Sequence, residues 1–279
     1  MRENRHMHPE LTPARRAELA ALLDDDSRLR AEYPKVADYL DMAPGLSGTG
    51  DAEADGSFDL RLVHHMTAPQ EGNPLWSIVG PSVTSVDGRR VINNGSANGS
   101  TRLAYAQMTL QAAYAYAVPS PETIQWVSDF AEGRRIIDLG AGRGYWARQL
   151  AEVGVEVSAH DIQPPNSAGN ASFPRAAGQR DAWFEVRDTC HVDLQSDAVL
   201  LLCWPPGWGD RMASTALQDF EKAGGRRVVY IGEPRGGKTG DDLFHDALAE
   251  RWELASTDQD FVSWWNLHDL AAGYTLREE

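Results

Sequence analysis

The chain has 279 residues, 42% of them hydrophobic and 24% charged, enough for one large domain or a domain with an appendage. Its 26 bases and 41 acids leave −15 at pH 7, split as −4 over residues 1–110 and −11 over 111–279, and so negative a surface argues against nucleic acid or membrane as partners. Two cysteines make no disulfide framework, the polar Met-Arg-Glu-Asn-Arg-His start offers no apolar leader, and no run approaches 18 apolar residues, so a cytoplasmic protein is expected. In chain order, residues 12–42 read as helix: Thr12 can cap, Pro13 suits the first helical position, and Leu19, Leu22 and Leu23 form a stripe. Leu29, Tyr33, Val36 and Leu40 continue the pattern. The Gly- and Asp-rich stretch 44–57 reads as a mobile acidic loop. Asp87-Gly88, between Val83/Val86 and Val91/Ile92, predicts a hairpin. Residues 103–117 read as a helix carrying Tyr105, Tyr114 and Tyr116, stopped by Pro119 and Pro121.

After residue 122 the register changes. Helix is expected at 123–130, 145–153 and 241–252, and strand at 135–139, 155–160, 183–186, 198–203 and 227–231. Strands alternating with helices mean right-handed βαβ units and a mostly parallel sheet.

The strongest motif is Asp138-Leu139-Gly140-Ala141-Gly142-Arg143-Gly144-Tyr145, where an apolar strand runs into a glycine-rich turn and a helix. Such a turn can bring backbone N–H groups against a ligand. A dinucleotide fingerprint would need glycine at 145, which is Tyr. The next strand ends in Asp161, whose carboxylate can accept both hydroxyls of a ribose lying across the strand tips.

At these residues the sequence resembles the class I S-adenosylmethionine-dependent methyltransferases, over about residues 114–279. The resemblance implies an α/β, Rossmann-like, doubly wound sheet of seven mostly parallel strands (111–279), with a mainly helical N-terminal cap (1–110). It implies S-adenosylmethionine as cofactor, held by Asp138, Gly140, Gly142, Gly144 and Tyr145 at the methionine part and by Asp161 at the ribose. Asp188 would border the adenine, and Cys203 would close the fourth strand beside the transferred methyl.

Cys203-Trp204-Pro205-Pro206-Gly207-Trp208 is similar to the Asp/Asn/Ser-Pro-Pro-aromatic turn of enzymes that methylate planar amino nitrogens. It departs at Trp204 and Gly207, which puts that acceptor in doubt and leaves a rigid turn with two indoles, suited to an apolar or cationic acceptor. Trp204, Pro205 and Pro206 are the candidate catalytic turn, Glu233 a candidate base, and His160 and His191 weaker ones. Tyr105, Tyr114, Tyr116 and Trp208 are candidates for contact with a small-molecule acceptor.

A competing motif, Gly232-Glu233-Pro234-Arg235-Gly236-Gly237-Lys238-Thr239, matches a phosphate-binding loop completely. Only 40 residues follow it, too few for the remaining parallel strands and a Mg²⁺-holding acid. His6/His8 and His64/His65 lack the spacing and acidic companions of a metal site and read as solvated. The sequence therefore points to methyl transfer onto a small molecule. A cyclase or lyase that consumes the cofactor itself, a phosphate-loop nucleotide-binding protein and a non-catalytic binding protein stay open. The N-terminal segment reads as a lid over the acceptor, with a homodimer contact as its alternative.

Overall fold

The computed structural model describes residues 11–69, 71–165, 170 and 172–278, so His6 and His8 lie outside the described residues. The chain divides into two compact units. The first holds Met1–Tyr114 with two later pieces, Pro174–Asp181 and Trp264–Asn266; the second holds Ala115–Phe173, Ala182–Ser263 and Leu267–Glu279. The chain first passes from one to the other after Tyr114.

In the first unit, α1 (Pro13–Asp24), α2 (Asp26–Glu32) and α3 (Pro34–Met42) follow one another almost without linkers. Thr12 and Asp25 cap the first two through Arg15 N and Arg28 N. The stretch expected to be a mobile acidic loop instead starts a long helix, α4 (Ala52–Met66). Its acids are structural. Asp51 accepts from Glu53 N and Ala54 N as the N-cap, while buried Asp55 accepts from Thr49 N, Thr49 Oγ1 and Asn94 Nδ2. Then come α5 (Pro74–Val79) and the expected hairpin, β1 (Val83–Val86) and β2 (Arg89–Ile92), turned by Asp87 and Gly88 at positive φ. Helix α6 (Thr101–Ala113), capped by Ser100, completes the unit. Leu62, Leu75, Ile78, Ile92 and Leu110 are fully buried in it.

The second unit runs α7 (Pro121–Ala131), β3 (Ile136–Leu139), α8 (Tyr145–Glu152), β4 (Val157–Asp161), β5 (Val186–Asp188) and β6 (Val199–Cys203). It continues with α9 (Met212–Lys222), β7 (Arg227–Gly232), α10 (Asp242–Arg251), β8 (Trp252–Thr257), β9 (Val262–Trp264, its last residue counted with the first unit) and β10 (Leu270–Leu276). Seven strands form one sheet in the order β5-β4-β3-β6-β7-β10-β8, with β10 antiparallel to both neighbours. Ile137, Leu139, Leu200, Leu202, Val228 and Tyr230 pack with Leu217 and Phe220 of α9 and Phe244 and Leu248 of α10 in one apolar cluster. The opposite face, by the period of two, takes Asp138, Ala159, Asp161, Leu201 and Cys203. Sheet order reverses between β3 and β6. Connections leave there in opposite directions, opening a crevice beyond the strand tips.

Candidate active site

The tip of β3 carries the glycine loop. Gly140, Gly142 and Gly144 have φ of +81°, +54° and +73°, the left-handed region. A Cβ at Gly142 would also collide with the ring of Phe173. The loop is closed by its own hydrogen bonds. Gly140 N and Ala141 N donate to the His160 carbonyl at 2.8 and 3.0 Å, and Gly144 N to the Ala141 carbonyl at 2.7 Å. Gly142 N donates to Asp161 Oδ2 at 2.8 Å. The sequence had the loop turning its N–H groups toward a ligand, but four of them are spent within the protein. A phosphate nest needs those donors free. Gly142 and Gly144 are buried, packed against Phe173 and against Phe184 and Val186, so of the three glycines only Gly140 is exposed.

Asp161, buried at the tip of β4, takes Gly142 N–H on one oxygen and Gln163 N–H, also at 2.8 Å, on the other. A carboxylate has about four lone-pair sites, so acceptor capacity remains for ligand hydroxyls. Asp138 shares its face and is 1% exposed, and its Oδ2 is buried without a hydrogen-bond partner. Burial, reinforced by the Asp161 charge, pushes the Asp138 carboxyl up to about 7. Both acids suit a ligand that carries hydroxyls and a positive charge.

Tyr145 is buried with its ring edge-on to Trp183 at 5.0 Å, so it packs in the core at the start of α8. Asp188, at the tip of β5, accepts from Cys190 N at 2.8 Å, a bond that with the Cys190 side chain holds its pKa low. Cys203 closes β6 with a free thiol that burial, then Asp138 and Asp269, push up.

Beyond Cys203 the chain turns sharply. Trp204 has φ +54°, its N–H donates to the Ile231 carbonyl at 2.7 Å, and its ring stacks on Tyr116 at 5.7 Å and 18°. Phe173 meets Tyr116 edge-on at 5.8 Å. Pro205 is buried, while exposed Pro206 makes a β-bridge to Thr239. Trp208 is 83% exposed, so of the two indoles only Trp204 is packed. The three tyrosines separate by unit. Tyr116 joins the Trp204 cluster in the second, whereas Tyr105 stacks on Tyr39 at 6.1 Å in the first and Tyr114 ends that unit fully buried.

Glu233 is not placed as a free base. Its oxygens accept from Lys238 N at 2.7 Å and His268 N at 3.2 Å, which ties the loop after β7 to the segment before β10. The nearby cation Arg235 pairs with Asp246, and Arg187, in β5, with Glu185. The same loop fails as a phosphate cradle. The Thr239 hydroxyl is buried, accepting from Glu233 N at 2.7 Å and bonded to Tyr230 Oη at 2.7 Å, while Lys238 is exposed. His64, rather than being solvated, accepts from Arg15 Nε at 3.1 Å, and burial drops neighbouring His65 to about 4. Among the described residues no group of three or more His, Cys, Asp or Glu is placed to hold a metal.

Sequence reasoning missed Asp269. It is 5% exposed, accepts from Trp204 Nε1 at 3.2 Å and from Ser263 Oγ, and burial lifts its pKa to about 6. The signal was topological: an antiparallel last strand starts where its parallel neighbours end, and Leu270 pairs with Gly232 at the tip of β7.

The strand order, the reversal between β3 and β6, the antiparallel β10 and the acid-tipped β3 and β4 now stand together. This is the class I S-adenosylmethionine-dependent methyltransferase fold. No protein-family model matches the chain. A stretch of 67 residues, 23% of the chain, is 34% identical to protein-L-isoaspartate O-methyltransferase of Gloeobacter violaceus and spans one third (33%) of that protein. Solved structures to which the chain is similar include magnesium protoporphyrin IX methyltransferase from Synechocystis with bound S-adenosylmethionine (15% identity, 56% of this chain and 79% of that one, TM-score 0.37). A TehB-like methyltransferase from Corynebacterium glutamicum is 22% identical, covering 63% of this chain and 97% of its own, with TM-score 0.37. The tRNA (uracil-54, C5)-methyltransferase of Pyrococcus abyssi is 16% identical over 69% of this chain and 44% of its own, with TM-score 0.34.

Proposed function

We propose that this chain is a methyltransferase that takes the methyl group of S-adenosylmethionine to a small-molecule acceptor in the cytoplasm. The observation that carries the reading is the buried Oδ2 of Asp138, without a hydrogen-bond partner, on the sheet face it shares with Asp161. An uncompensated buried carboxylate costs several kcal/mol unless a ligand meets it. The α-ammonium of an amino-acid moiety is such a ligand, and Asp161 has acceptor capacity left for a ribose. Exposed Gly140 lets the ligand approach the backbone while buried Gly142 and Gly144 shape the turn behind it, Asp188 borders the base, and Cys203 and Trp204 face the reacting end. When bound, S-adenosylmethionine supplies a methyl group on a sulfonium, open to in-line displacement. The protein's part is then to orient, to exclude water and to balance charge. The Trp204 and Tyr116 rings serve the first two tasks at the tip of β6.

The net charge of −15 supports a small acceptor rather than a nucleic acid. Every residue assigned to the cofactor belongs to the second unit. The first unit, with Tyr105 and Tyr114, is therefore proposed to select the acceptor, with self-association as its other role. Thermal-shift measurement tests the core of the reading. S-adenosylmethionine and S-adenosylhomocysteine should both raise Tm, and MgATP should not. Stabilisation by MgATP alone would overturn it. A panel of acceptors scored for S-adenosylhomocysteine formation then identifies the substrate.

A further inference from the structure

Asp269 is the least expected group at the tip of β6. It is buried, and it hydrogen-bonds only neutral donors: the Trp204 indole at 3.2 Å, the Ser263 hydroxyl and its own backbone. Among the described residues no guanidinium, ammonium or imidazole pairs with it. The Glu233 carboxylate, also buried, accepts from the backbone N–H groups of Lys238 and His268. The indole that Asp269 holds is in the left-handed region at φ +54°, a conformation costly for a bulky residue unless several contacts impose it. Three do: the Ile231 carbonyl, the Tyr116 ring and Asp269 itself. A strained, fixed indole with Tyr116 on its ring and a buried carboxylate at its N–H edge is a costly arrangement for a core and a good one for a cation.

We propose that Asp269 is a specificity-determining residue: by fixing the Trp204 indole and leaving a negative charge at its edge, it makes the acceptor position select an amine that becomes cationic on methylation, against carboxylates and phenolates. The inference rests on the methyltransferase reading above. Its logic is charge conservation. As the bond from the amine nitrogen to the methyl carbon forms, the carbon–sulfur bond breaks with its electron pair going to sulfur, and the positive charge passes from sulfur to nitrogen. Asp269, whose two oxygens accept from the Trp204 indole and the Ser263 hydroxyl as a carboxylate's do, then faces a cation before and after the transfer. An anionic acceptor would be repelled on entry and would leave both partners neutral, with the carboxylates of this edge uncompensated.

The test needs no turnover. Full-length protein saturated with S-adenosylhomocysteine is titrated by calorimetry with N-methylquinolinium, with its neutral isostere quinoline and with the anion 2-naphthoate. The cation should bind about tenfold more tightly than quinoline, and naphthoate should not bind, as expected of a desolvated cation–π site. Asp269→Asn should remove most of that preference while leaving quinoline and S-adenosylhomocysteine affinities within about twofold, and Asp269→Glu should restore it. Trp204→Leu should weaken cation and quinoline alike. Wild-type protein that binds the three probes equally, prefers naphthoate or binds none of them overturns the proposal without any variant. So does an unchanged preference in folded Asp269→Asn. If S-adenosylhomocysteine itself fails to bind wild-type protein, the methyltransferase reading falls instead, by a separate measurement.

Discussion

Asp161 has two tasks at once. It holds Gly142 N–H and Gln163 N–H, and it is the proposed ribose acceptor. Asp161→Ala should therefore weaken S-adenosylhomocysteine binding by roughly 1.5–3 kcal/mol, the usual loss for hydrogen bonds to a charged group. Calorimetry reads the affinity, and an unchanged value in a folded variant would remove the ribose role. Asp138 makes a pH-dependent prediction. Its pKa rises from 3.8 to about 7 on folding, so the folded protein holds a proton that the unfolded chain has released. Stability of the ligand-free protein must then fall as pH climbs from about 4 to 7, by an amount on the order of 4 kcal/mol. Asp138→Asn removes that loss. Ligand-free Tm of the variant should exceed that of the wild type at pH 8.5, with the gap shrinking toward pH 5.5, and the variant should bind S-adenosylhomocysteine more weakly. Parallel Tm curves would show that the carboxyl is not strained.

At the scale of elements, the loop between β7 and α10 separates motif from geometry. Its eight residues spell a phosphate cradle, yet Thr239 Oγ1 turns inward to Glu233 N and Tyr230 Oη. Thr239→Ala leaves a buried N–H unsatisfied and should destabilise the protein by about 1–3 kcal/mol. Lys238→Ala should change neither Tm nor cofactor affinity. Chemical denaturation measures both. Equal effects of the two substitutions would restore the lysine to a functional role. Much of the sheet was legible because β3, β4, β6 and β7 are short apolar runs with punctuated ends, and the acids at 138 and 161 mark two of those ends. The strands after α10 were not legible. Glu253, Ser256 and Gly273 interrupt any apolar pattern, and β10 is placed by pairing with distant β7 rather than by local preference. Asp269, tied to that placement, was hidden with it. The 44–57 stretch misled for the opposite reason. Its acids resemble a solvated loop in composition, and only their targets, the N–H groups at the start of α4 and the side chains of Thr49 and Asn94, make them structural.

On the scale of the whole molecule, removing the first unit is not a clean excision. Within that unit Asn266 Nδ2 donates to Gln107 Oε1 at 2.9 Å, Trp265 N donates to the Ile92 carbonyl at 3.3 Å, and Gly178 packs on Tyr33. A 115–279 fragment keeps residues 174–181 and 264–266 but strips them of these partners. It should still bind S-adenosylhomocysteine, since the proposed cofactor residues all remain, but unfold at a clearly lower temperature than the full chain. A fragment as stable as the whole protein would show that the later pieces are dispensable to both units.

Those later pieces also bear on how such a chain could have been assembled. The backbone passes between the units after residues 114, 173, 181, 263 and 266. A single recombination point therefore cannot transplant the first unit onto another sheet, because eleven residues of its fabric (eight from 174–181, three from 264–266) are encoded inside the second. Insertions at two loops of an existing sheet, adapted in step with an N-terminal extension, are the simplest genetic route. Exchanging the first unit between two such chains would require moving three separate segments together.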